Sequence, residues 1–107
     1  MSAPAKAPPT ETVDQKVARL LKQWNEETAY LSSTTRIEAH PAYQEIIALG
    51  HSALPALFRE LEKTRNGHLD GALLAITGVQ PVPPEFAGRM RTIADIWVTW
   101  AKDNGYL

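Results

Sequence analysis

The chain has 107 residues, 44% of them hydrophobic and 21% charged, a length suited to one domain able to bury roughly 65% of its unfolded surface. Eleven Lys and Arg against twelve Asp and Glu leave a formal net charge of -1, so no global basic field draws phosphate backbones or an anionic membrane. With no cysteine in the chain, disulfides, thiolate metal sites and thiol nucleophiles are excluded.

Residues 1–10 mix Ala and Pro with one Lys. Such a stretch buries too little apolar surface to offset its ordering entropy, so it reads as a flexible tail ahead of a single all-α domain over residues 11–107. It holds no apolar signal core, and no run in the chain approaches the roughly eighteen apolar residues of a spanning helix. A cytoplasmic, bacterial protein is the expectation.

The first helix is expected from Thr12, where Thr12 and Gln15 have the spacing of a capping box. Val17, Leu20, Leu21 and Trp24 follow at i, i+3, i+4 and i+7, the stripe of an amphipathic helix running to about Tyr30. The hydroxyl-rich segment 31–40 competes with helical backbone bonds and reads as a loop. Pro41 suits the first turn of a second helix with Tyr43, Ile46 and Ile47 on its buried face, and Gly50 suits its left-handed cap. Ser52 is placed as the cap of a third helix, with Pro55 in its first turn and Leu54, Leu57, Phe58 and Leu61 as its stripe; Asn66-Gly67 ends it. A fourth, shorter helix carries Leu69, Ala72, Leu73 and Ile76 and closes at Gly78. Residues 79–84, Val-Gln-Pro-Val-Pro-Pro, exclude regular helix and read as a stiff connector. The last helix starts between Glu85 and Arg89 and bears Met90, Ile93, Ala94, Trp97, Trp100 and Ala101 on one side. The whole is an all-α compact bundle of about five helices.

The stretch Ile46-Ile-Ala-Leu-Gly-His-Ser-Ala-Leu-Pro-Ala-Leu-Phe-Arg-Glu-Leu61 resembles the helical hairpin of HEAT-like repeats, in which a Leu-Gly turn precedes a small residue, Leu-Pro and a further apolar pair. Ala72-Leu-Leu-Ala-Ile-Thr-Gly78, followed by Trp97-x-x-Trp100, is similar to the end of some bacterial HEAT-like proteins. The two together span roughly half the chain and amount to about one and a half repeats, where a solenoid needs about three. The pattern is also similar to a group of short uncharacterised bacterial proteins, a resemblance that implies no activity. What the HEAT-like resemblance implies is a helical scaffold holding another macromolecule, usually a protein, against an exposed helix face.

Candidate chemistry is sparse. Ser32 or Ser33 with His40 and Asp70 supplies the residue types of a hydrolytic triad, yet no Gly-x-Ser-x-Gly elbow is present and the hydroxyl residues read as turn and capping groups. His40, His51, His68 and Asp70 could serve as metal ligands by type but match no ligand spacing, and each histidine sits at a helix boundary where an imidazole bonds backbone groups. Trp24, Trp97 and Trp100 lie on apolar stripes and read as core, Trp100 being nearest the surface. Arg59, Lys63, Arg65, Arg89 and Arg91 are diluted by acidic neighbours. No catalytic residue, metal site or cofactor is assigned.

The expectation is therefore a small protein-interaction module, an accessory, inhibitor or antitoxin-like partner of a larger bacterial protein, with Ser32, Ser33, Arg36, His40, Tyr43 and Arg59 as its partner-binding residues. Two alternatives stand beside it: a homodimer formed through the Trp-rich last helix, and a small metal-binding protein or enzyme using the histidines.

Overall fold

Helix α1, Val13–Thr28, begins as its capping box dictates: the Gln15 N–H donates to Thr12 Oγ1 at 3.1 Å, and the Thr12 N–H donates to Gln15 Oε1 at 2.9 Å. Glu11 reaches forward to grip Arg19 through two bonds of 2.8 and 3.0 Å. The computed structural model describes residues 10–107, so the expected flexible tail lies outside the described residues except at Thr10. Val17, Leu20, Leu21 and Trp24 are all buried on one side of α1, as period 3.6 requires.

The chain continues as α2 (Thr34–Glu38), α3 (Pro41–Ala48), α4 (Leu54–Thr64), α5 (Asp70–Thr77) and α6 (Met90–Asp103), with 3-10 turns at Gly50–Ala53, Gly67–Leu69 and Pro84–Phe86. The architecture is all-α, with six α-helices among the described residues. The addition to the expected five is α2, inside the segment read as a loop. Ser33 Oγ caps it by accepting the Arg36 N–H at 3.4 Å. Its one buried residue is Ile37, whose carbonyl accepts the Trp24 indole N–H at 2.9 Å. A helix of five residues is too short to persist unaided; the core tryptophan of α1 holds this one in place.

Three helix boundaries differ from expectation. Ser52 caps nothing: it lies in the 3-10 turn, and its hydroxyl donates to the Leu49 carbonyl at 2.8 Å. Helix α4 ends at Arg65, which takes the left-handed conformation at φ 52° while its N–H donates to the Leu61 carbonyl at 2.8 Å. Gly67 acts two residues later for a different reason, since a Cβ there would fall 2.7 Å from Met90 Cα and 2.8 Å from Met90 C. That missing side chain lets the turn touch the backbone at the start of α6. The proline connector holds one further helical turn, Pro84–Phe86, and α6 starts just after Arg89.

Helix α1 packs against α3 and α4, while α3 also meets α5 and α4 also meets α6. Leu57, Phe58 and Leu61 of α4 and Trp97 of α6 are fully buried, each aliphatic or aromatic side chain contributing about 1.5–3 kcal/mol. Phe58 is the hub of an aromatic group, 6.3 Å from Trp97, 5.9 Å from Trp100 and 5.1 Å from Tyr106 between ring centroids. The chain end thus folds back onto α6, with Tyr106 stacked on Trp100 at 5.9 Å. None of the helices is long and apolar enough to cross a membrane, among the described residues.

Candidate interaction face

Tyr43, in the first turn of α3 and on its expected apolar face, is 1% exposed and ties three elements together. Its ring lies 5.1 Å from that of Trp24, and its hydroxyl donates to the His68 carbonyl at 2.7 Å while accepting the Ala72 N–H at 2.7 Å. Ala72 is in the first turn of α5, and that helix has no side-chain cap of its own. Tyr43 therefore caps α5 from another helix. Burial, then the charge of Glu38, push its phenol well above the ordinary tyrosine range against the opposing pull of the Ala72 N–H. The structure places this expected partner-binding residue in the core, with both its ring and its hydroxyl used inside the fold.

The other sequence-selected residues divide between two places. Ser32 and Arg36 are exposed, and Ser33, also exposed, is occupied in capping α2. His40 adjoins them but is half-buried and engaged at both nitrogens. Its Nδ1 accepts the Ala42 N–H at 3.0 Å as the cap of α3, which leaves the proton of the neutral ring on Nε2, donated to Glu27 Oε1 at 2.7 Å. Arg59 stands apart, on α4, where it pairs at 2.7 Å with Asp14 across a separate groove floored by Ala18 and Ala56. Both partners are more than half exposed, so the pair contributes little stability.

Beside Ser32 and Ser33 opens a cleft of about 290 Å³ that periodicity does not reveal. Helix α1 supplies Trp24, Asn25 and Thr28; the turn after it supplies Ala29 and Leu31; α2 supplies Ile37; and the turn before α5 supplies Asn66 and His68. His68 Nδ1 is buried without a hydrogen-bond partner. Between two lining residues in the chain, Tyr30 is 81% exposed, the most exposed of the large hydrophobic side chains described. It falls off the Val17–Leu20–Leu21–Trp24 stripe of α1, which is the one sign in the sequence that it faces away from the core. Asn66 and His68 reach the cleft from across the fold, and no spacing signals that.

The chemistry available elsewhere is structural. Asp70 Oδ1 accepts the Trp97 indole N–H at 2.6 Å, while His40 is held by Glu27 and Ser33 by Arg36, so these groups make no triad. Among the described residues no group of three or more His, Cys, Asp or Glu side chains is placed to hold a metal ion. Glu38 lies over Gly71, where a Cβ would fall 2.6 Å from its Oε1. Burial, reinforced by the charge of Asp70, raises the Glu38 carboxyl above its ordinary range.

Trp97 is fully buried and Trp100 half-buried, so the tryptophans of α6 serve the core. Compared with protein-family models, curated proteins and solved structures, the chain matches none.

Proposed function

We propose that the protein is a small helical interaction module, an accessory, inhibitor or antitoxin-like partner of a larger bacterial protein, acting in the cytoplasm. It docks through the face formed by Tyr30, Leu31, Ser32, Ser33 and Arg36 around the cleft. The carrying observation is Tyr30: an aromatic residue 81% exposed whose two chain neighbours, Ala29 and Leu31, line a cleft, the kind of residue that anchors protein interfaces.

The backbone under this face supports the reading. Trp24 holds Ile37, His40 holds the start of α3, and Tyr43 holds the 68–72 turn, so the surface is organised before a partner arrives and loses little entropy on binding. The HEAT-like resemblance belongs to the same proposal, as a scaffold whose exposed side receives a protein. The lining carries no carboxylate and no Lys or Arg, which fits a neutral apolar or amide-bearing segment better than a phosphate backbone.

The test is photo-crosslinking from position 30 in the native host, with a crosslinker at Lys102 as the control site. A discrete adduct from position 30 alone supports the reading. Equal labelling from both sites, or none from position 30, refutes it.

A further inference from the structure

We infer that the occupant of this face is a second copy of the chain, each copy seating its Tyr30 ring in the other's cleft. The inference rests on the docking face proposed above and names its partner. A two-fold interface is isologous, so the protruding group and the recess that takes it must lie close together on one surface of one chain. Tyr30 meets that requirement, since its neighbours in sequence, Ala29 and Leu31, line the cleft.

Two copies of one face bring like charges together at the axis, which costs affinity. Residues 28–35, Thr-Ala-Tyr-Leu-Ser-Ser-Thr-Thr, contain no ionised side chain, in a chain that is 21% charged. Of the five face residues only Arg36 is ionised, so the strip that two copies share is neutral apart from that one like-charged pair.

A recess of about 290 Å³ sits at the lower edge of small-molecule pockets, roughly 300–1,000 Å³, and suits one side chain. A tyrosine ring needs apolar walls and a hydrogen-bond partner for its hydroxyl when buried. Trp24, Leu31 and Ile37 provide the walls; the carboxamides of Asn25 and Asn66 and the imidazole of His68 provide the polar side.

The experiment is sedimentation equilibrium of the full chain from about 10 μM to about 1 mM, a range that spans the weak affinities of small interfaces. The expected result is an average mass rising from 11.8 kDa toward twice that value, with Tyr30→Ala weakening association at least about tenfold and thermal unfolding of the dilute protein unchanged. Tyr30→Phe, which keeps the ring, retains most of the association. A mass of 11.8 kDa at every concentration overturns the inference, as does a dimer indifferent to Tyr30→Ala. In the first of those cases, a crosslink from position 30 to a different protein would leave the docking face standing with another occupant. With no such crosslink, both proposals fail.

Discussion

Replacing Tyr43 by Phe deletes one oxygen and keeps the ring against Trp24, so it isolates the work of the hydroxyl. That oxygen accepts the Ala72 N–H and donates to the His68 carbonyl, both at 2.7 Å, and Ala72 is 1% exposed. The variant leaves a buried donor and a partly buried acceptor without partners, at about 1–3 kcal/mol for each group. Together these give a loss of about 2–6 kcal/mol and a fall in Tm of at least roughly 8 °C.

The assay is urea unfolding followed by tryptophan fluorescence, read as a lower midpoint at constant m. Alkaline pH gives a second readout. The folded phenol ionises above its ordinary value of 10.0, so above that pH the unfolded chain loses a proton that the folded chain keeps. Stability is then complete below pH 10 and falls as pH rises, by up to about 1.4 kcal/mol per pH unit from this group. Tyr43→Phe removes that contribution to the slope. A loss under about 0.5 kcal/mol, the range of an ordinary exposed substitution, would refute the account of Tyr43 as a cap supplied from another helix.

Three further substitutions probe other joints. Gly67→Ala drives a Cβ into the backbone of Met90, and because backbone cannot swing aside it costs about 1–3 kcal/mol, measurable as a lower thermal midpoint. Glu38→Gln stabilises the protein at pH 7, because the raised carboxyl of Glu38 costs stability once the unfolded-state carboxylate ionises. The gain vanishes below the ordinary glutamate range, where both states are protonated, and the check is denaturant unfolding at pH 7 and pH 3. His40→Ala removes the acceptor for the Ala42 N–H and costs about 1 kcal/mol; His40→Asn, which can still cap, restores most of it in the same assay.

Much of the fold was legible because it follows local rules. The Thr12–Gln15 box, the α1 stripe, the apolar runs of α4 and α6 and the left-handed Gly78 all act within a few residues of themselves. What was missed depends on partners distant in sequence. Helix α2 exists because an indole 13 residues earlier holds its carbonyl, and Gly67 matters because of a backbone 23 positions later. Tyr43 was read both as core and as a contact residue, and only the positions of His68 and Ala72 decide between them.

The proposed face was half legible. Ser32, Ser33 and Arg36 are exposed and adjoin the cleft residues Leu31 and Ile37 in sequence, but Arg59, on α4, pairs with Asp14 near the start of α1. The cleft is made by three segments meeting, a tertiary fact that leaves no periodic trace. Tyr30 alone left one, as an aromatic residue off the α1 stripe when its period is continued past Thr28.

The most direct test of the central claim, that this protein works by docking through the Tyr30 face, is site-specific photo-crosslinking from position 30 in intact host cells, with position 102 as control. The account predicts one discrete adduct from position 30, its mass reporting whether a second copy or another protein is bound, and none from position 102. No adduct at position 30, or the same pattern at both, would contradict it.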